Sequence, residues 1–447
     1  MKRNWISGLF LLVFVASPAW ALDPFSVAIT VDAAPAETFG FSNVEDAVES
    51  FDPDQLIQEF AYMPDTSAVT IDFNFRGVLV DASFAGSSGT LDFDITEAGI
   101  SKMFVGVGGT VDQQRRDAIE QLKDFLKEDE VALRKLLTQL ARSSPIDPLA
   151  GNPFSLMTQR MKGDFSEGFT HKVSQIWGCG TSAFNLNSDE PIMVAATGPL
   201  GDIFEDAQAR ANALRGQDEI FLGTMLQATE AKVGGGSFKS NTIQIPLSYT
   251  AKFDANPGHK LRFELPISAT DTEGAKTYSL GFGLAYTYPA TEDWSLTPGI
   301  SVGATGSEDL GAAGGVGAYS LTSAYTFRVG GIALSLGNSV GRYESLPIKI
   351  GDVSAEADVK NTVFTNGILL SGPQSLIAKN LVMEYSFTDT RITGDEVYSE
   401  YYDEVGVAIG YIDTDYGVVD SYLKAGFSYF KGGNDITGAR FNLGYRF

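Results

Sequence analysis

Tyr278-Ser279-Leu280-Gly281-Phe282-Gly283-Leu284-Ala285-Tyr286-Thr287-Tyr288 alternates without a break. Every even-numbered residue is large and apolar or aromatic, and every odd-numbered one is Ser, Gly, Ala or Thr. Successive side chains of a strand point to opposite faces, so this segment reads as a strand with one apolar face and one small, mildly polar face. Soluble strands run to ~5–6 residues, whereas a tilted strand that crosses a bilayer needs ~9–11. Length favours the membrane. In lipid every backbone N–H and C=O must be paired within the protein, which a strand achieves only in a closed barrel.

The same grammar extends in both directions. Leu261, Phe263, Leu265 and Ile267 oppose Arg262, Glu264, Pro266 and Ser268, while Leu381, Met383, Tyr385 and Phe387 oppose Val382, Glu384, Ser386 and Thr388. Eleven such runs stand out: 240–253, 259–270, 276–288, 293–304, 316–328, 330–342, 358–371, 379–391, 403–413, 419–430 and 436–447. Bacterial single-chain barrels have even strand numbers, which calls for a twelfth, and Asp218–Ala231 is the candidate. Even parity puts both barrel ends on the periplasmic side and the segments 232–239, 271–275, 305–315, 343–357, 392–402 and 431–435 outside. The expected fold is mainly β: an antiparallel transmembrane β-barrel of about 12 strands over 218–447, preceded by a smaller α+β region.

That region, 22–198, mixes signals. Val69, Ile71, Phe73 and Phe75 alternate with polar residues, and Val78-Leu79-Val80 and Leu91, Phe93 and Ile95 follow, as in a small antiparallel sheet. From Asp112 to Arg142 leucines recur at helical spacing, in one long or two short amphipathic helices, and Phe154 to Phe169 carries a further helical pattern. Asp202 with Glu205 opens another helix to Leu214, so 199–217 is a linker or a helix in the barrel lumen. Residues 1–21 carry Lys2 and Arg3, an apolar run Trp5–Ala16 and Ala19-Trp20-Ala21, the pattern of a cleaved secretory signal. No later run is long and apolar enough for a membrane helix. Export favours disulfides, yet Cys179 is the single cysteine.

Composition narrows the function. The 447 residues are 44% hydrophobic with 48 glycines, and a net charge of −24 repels the phosphate backbone, so nucleic acid is not an expected partner. Nothing reads as an enzyme. The G-x-S-x-G spacings at Gly299–Gly303 and Gly337–Gly341 fall inside strand runs and not at the strand-to-helix turn of a nucleophile elbow, and Gly106–Gly109 and Gly234–Gly236 lack the context of a phosphate loop. His259 lies in an expected turn and His171 has no carboxylate at ligand spacing, so each reads as a solvated or partly packed residue; Cys179 reads as a small buried thiol, and the acidic stretches 389–404 and 413–420 lack calcium-loop spacing. No catalytic, cofactor-binding or metal residue is assigned, and no cofactor is expected.

The chain finishes Phe441-Asn442-Leu443-Gly444-Tyr445-Arg446-Phe447, with apolar or aromatic residues at alternate positions and a terminal aromatic. This resembles the C-terminal strand of bacterial outer-membrane barrels. With a preceding helix and an exported N-terminal region, the barrel resembles the translocator domain of autotransporters, nearest to solitary autotransporter-like proteins. The resemblance implies the outer membrane of a Gram-negative bacterium, lipid and the outer-membrane barrel assembly machinery as partners, a monomeric barrel, and a role as translocator or anchor of the short N-terminal region. A channel for small solutes is the competing expectation.

Overall fold

A computed structural model describes residues 22–32, 34–49, 66–169, 219–233, 236–253, 258–291, 293–329, 332–350, 353–355, 357–373, 381–415 and 418–446. The signal segment, Cys179, His171 and the 202–214 helix lie outside the described residues. The N-terminal elements are β1 (Phe25–Val31), β2 (Glu37–Phe41), α1 (Val44–Glu49), β3 (Val69–Phe75), β4 (Val78–Phe84), β5 (Thr90–Ile95), β6 (Ile100–Val105), α2 (Val111–Glu128), α3 (Glu130–Ser143) and α4 (Leu156–Gly168). The six strands form one antiparallel sheet in the order β2-β1-β3-β4-β5-β6. Alternation sends Val27, Ile71, Phe73, Val80, Phe84, Leu91 and Phe93 to one face, where Ala118 and Leu122 of α2 and Ala132 and Leu140 of α3 cover them. Two short helices, rather than one, do the covering because Asp129 ends α2 and its carboxylate accepts from Ala132 N–H to cap α3.

The barrel strands are β7 (Glu219–Val233), β8 (Gly236–Lys252), β9 (Lys260–Thr272), β10 (Ala275–Pro289), β11 (Trp294–Ser307), β12 (Ala312–Val329) and β13 (Ile332–Leu346). After a small hairpin of β14 (Ile348–Ile350) and β15 (Val353–Ala355) come β16 (Lys360–Pro373), β17 (Leu381–Gly394), β18 (Tyr401–Asp415), β19 (Val418–Gly432) and β20 (Thr437–Arg446). Twelve of them close into a barrel, the last pairing with the first through Thr437↔Glu230 to Arg446↔Phe221. The inferred twelfth strand is therefore present as β7. The expected outer segments at 232–239 and 271–275 are tighter than the sequence suggests: the ladders run up to Val233↔Gly236 and Thr272↔Ala275.

Facing follows the alternation. Tyr278, Leu280, Phe282, Tyr286 and Tyr288 are exposed outward, Phe282 at 46%, whereas Ala285 is 4% exposed on the inner side. The outward apolar belt is set towards the barrel end that holds the β7 start and the β20 end. On β17 it covers Tyr385 and Phe387 and then gives way to Asp389 and Arg391. Arg391 pairs there with Asp389 at 2.6 Å and with Asp403 at 3.4 Å. Charges of this kind are costly in hydrocarbon, so the strands project beyond the membrane at the opposite end. No helix among the described residues is long and apolar enough to cross a membrane; the strands do the crossing.

Candidate functional site

The sheet domain sits on the projecting end, and its core continues into the barrel mouth. Phe238 at the head of β8, Ala275 at the head of β10 and Leu310 in the β11–β12 turn are buried in the same apolar cluster as the sheet. Leu22 N–H donates to Ser237 C=O at 3.0 Å, and Val44 N–H to Asp309 C=O at 2.7 Å. Below this junction residues 144–155 fill the mouth. Arg76, in the left-handed region (φ 55°) at the β3–β4 turn, is wholly buried and reaches Asp147 at 3.1 Å, while Asp147 also accepts from Leu149 N–H. Loops close over from the rim: Arg142 of α3 pairs with Asp395 at 2.9 Å, Asp358 N–H donates to Thr138, and Tyr398 donates to Lys232 C=O.

From this seal α4 descends into the lumen. Ser155 caps it, accepting from Thr158 N–H, and thirteen residues at ~1.5 Å each carry it about 20 Å down the barrel. Its faces are distinct. Leu156, Arg160, Asp164 and Glu167 lie at helical spacing, with Arg160 2% exposed and held by Glu264 of β9 at 3.3 Å and by Asp164 at 3.7 Å. Asp164 accepts from Ser301 of β11 at 3.2 Å and from Tyr343 of β13 at 3.0 Å. Met157 and Met161 pack with inward residues such as Val316 and Val363, and Phe165 and the following Phe169 with Ala324, Ala333 and Leu369. Glycines on the wall make room: a Cβ at Gly303 would lie 2.8 Å from Leu156, and one at Gly367 2.7 Å from both Phe165 and Phe169.

The helix lies against β10–β13, off the barrel axis. On its other side a cavity of about 410 Å³ is lined by Lys162 and Gln159 of α4 and by inward residues of β7–β9 and β16–β20, among them Gln244, Thr388, Glu404 and Asn442. The small inward residues Gly281 and Gly283 of β10 face α4, where a Cβ at Gly283 would lie 3.5 Å from Glu167 Oε1. A signal was present: Arg262, Glu264, Glu384, Glu404 and Arg440 occupy inward positions and require counter-charges inside the barrel.

His259 stands in the β8–β9 turn between the rings of Tyr286 and Tyr288, its Nδ1 2.5 Å from Tyr286 Oη. Gly106–Gly109 form the bend before α2. Among the described residues no group of His, Cys, Asp and Glu is arranged to hold a metal.

The protein is a twelve-stranded transmembrane β-barrel with a helix in its lumen. Barrels of this construction belong to the outer membrane of Gram-negative bacteria. No protein-family model and no curated protein matches the chain. Among solved structures it is similar to the translocator domain of the autotransporter NalP from Neisseria meningitidis, at 14% identity over 55% of this chain and 96% of that one, with a TM-score of 0.42. The β domain of the Bordetella autotransporter BrkA aligns at 14% identity over 52% and 98%, TM-score 0.40. The NanC porin aligns at 9% over 51% and 98%, TM-score 0.34. The barrel assignment rests on the chain's own closed ladder.

Proposed function

We propose that this protein is a non-enzymatic outer-membrane anchor that displays its own N-terminal sheet domain on the cell surface, in the manner of an autotransporter translocator with a short passenger. The observation that carries this reading is the path of the chain. The sheet domain caps the end of the barrel remote from the β7 start and the β20 end, and α4 leads back down the lumen. With an even strand number and both barrel ends periplasmic, the capped end is the outer one. The strand ends that project past the apolar belt lie on that same side, where outer-membrane barrels carry their longer loops. The outer-membrane barrel assembly machinery would take β20 as its recognition strand, and a single barrel suffices as the working unit because closure leaves no free edge.

The test is an epitope inserted at Gly108-Gly109, before α2, followed by antibody labelling and protease shaving of intact cells. Labelling and cleavage without permeabilisation are expected. Protection until the outer membrane is opened would place the domain in the periplasm and overturn display. The channel alternative draws on the cavity beside α4. It requires a path past the seal at 144–155, so a large steady conductance of the full chain in planar bilayers would favour it.

A further inference from the structure

At the cavity's upper end two cations converge on one carboxylate. Arg440 Nη1 of β20 lies 2.5 Å from Glu404 Oε2 of β18, and Lys162 Nζ of α4 lies 3.5 Å from the same oxygen. Both cations also stand over the ring of Phe430, at 4.5 and 4.9 Å from its centroid. Glu404 is fully engaged, since its other oxygen accepts from Ser428 at 2.6 Å. The donors are not. Arg440, whose side chain is 5% exposed, gives Nε to Gln227 and Nη1 to Glu404, but Nη2 is buried with no acceptor, and Lys162 Nζ is also buried without a hydrogen bond.

Neighbouring acids do not restore the balance. Glu384 is taken by Lys424, Asp164 and Glu264 are taken by Arg160, and the buried Glu167 lies by Gly283 on the β10 side of the helix, beside Glu264 and Arg262. A buried guanidinium and a part-buried ammonium, its side chain 27% exposed, therefore share one anion, which leaves an excess of positive charge at the cavity wall, where an added anion is held more strongly than at an open surface. Lys162, Arg440, Glu404 and Ser428 all line the cavity, which extends from Tyr402 down to Phe221 and Gly444 near the β7 start.

We propose that Lys162 and Arg440 form a lumenal binding site for a small oxyanion, a phosphoryl or carboxylate group that completes the charge of this knot. An oxyanion presents several acceptors, and a rotation of the flexible Lys162 side chain towards the cavity lets it meet Lys162 Nζ and Arg440 Nη2 together.

The full chain, assembled in detergent micelles and verified by heat-modifiable mobility, is titrated calorimetrically with inorganic phosphate, and in parallel with acetate, against a chloride background of matched ionic strength. One saturable event per barrel is expected; saturation by phosphate alone identifies a phosphoryl ligand, and saturation by acetate a carboxylate. Lys162→Met, which leaves the strand ladder untouched, should weaken binding at least tenfold. Glu404→Gln, which removes the competing carboxylate while its amide oxygen still accepts from Ser428, should strengthen it. Absence of saturable binding of either anion to both the wild type and Glu404→Gln overturns the site. So does binding that Lys162→Met and Arg440→Gln leave unchanged.

Discussion

Arg76 is held in a backbone conformation that non-glycine residues adopt uncommonly, at the tip of the β3–β4 turn, and its guanidinium is wholly buried against Asp147. Burial lowers the guanidinium's proton affinity and pushes the Asp147 carboxyl up, and the pairing opposes both effects. Removing one partner strands the other charge. Arg76→Met is expected to destabilise the sheet domain by about 3–5 kcal/mol, and Arg76→Met with Asp147→Leu to recover most of that loss. Hydrogen exchange of the β3 and β4 amides in the full chain measures both; equal losses in single and double variants would deny the coupling. A second prediction concerns the open face of the sheet, where Asp81 stands opposite Asp72 and Asp94 in the strand register. Partial burial, then the charges of Asp72 and Asp94, raise the Asp81 carboxyl above its ordinary value. The folded sheet thus binds this proton more tightly than the unfolded chain does. The associated stability is present below the unfolded value of ~3.9 and is lost as pH rises through the folded one. Asp81→Asn should therefore slow exchange of β4 amides at pH 7 relative to wild type and make little difference at pH 3.

At the scale of single elements, strand facing and helix placement act together. Facing alone would make Gly283 a benign site for arginine, but a Cβ there already lies 3.5 Å from Glu167 Oε1 and 3.6 Å from an Arg160 nitrogen, because α4 occupies that side of the lumen. Strand β17 borders the cavity instead and offers a cleaner comparison. Phe387 is exposed on the belt and Thr388 lines the cavity. Phe387→Arg, at the edge of the belt, is expected to cost less than the ~2–4 kcal/mol of an arginine at the midplane but clearly more than Thr388→Arg, read as urea midpoints of barrel unfolding in detergent or lipid. Equal tolerance of the two would mean that the belt is misplaced. The existence of α4 was legible from Leu156, Met157, Met161 and Phe165, but its location was not. The same stripe suits a soluble core, and only the partners Glu264 and Ser301, more than a hundred residues later, reveal that the polar face is also enclosed.

For the whole molecule the issue is what keeps the sheet domain on the barrel. The Arg142–Asp395 pair is about one-third exposed on each side, and pairs of that kind contribute ~0–1 kcal/mol. Phe238 is 1% exposed and belongs to the domain's own core. Truncating such a residue costs about 3–5 kcal/mol, so burial outweighs the ion pair. Arg142→Ala should leave protease resistance of the assembled protein nearly unchanged, while Phe238→Ala should expose the domain to limited proteolysis with the barrel still heat-modifiable. The reverse order would show that the loops, not the shared core, hold the cap.

Period-two alternation and strand length were enough to specify the barrel, its facing and the need for a twelfth strand, because lipid leaves an unpaired strand no other solution. The sheet strands β3, β4 and β5 and the helical stretch 112–142 were legible for a similar reason, a local apolar period that no distant residue has to complete, whereas β1, β2 and β6 were not read. Which helix enters the lumen, that the sheet caps the projecting end, and that Lys162 and Arg440 meet at Glu404 were decided by tertiary structure alone. Those features are pairings of charges and apolar surfaces across up to some 280 residues of chain, between Lys162 and Arg440 and their shared acid. A buried charge is stable wherever a counter-charge is found, and sequence order does not state where that is.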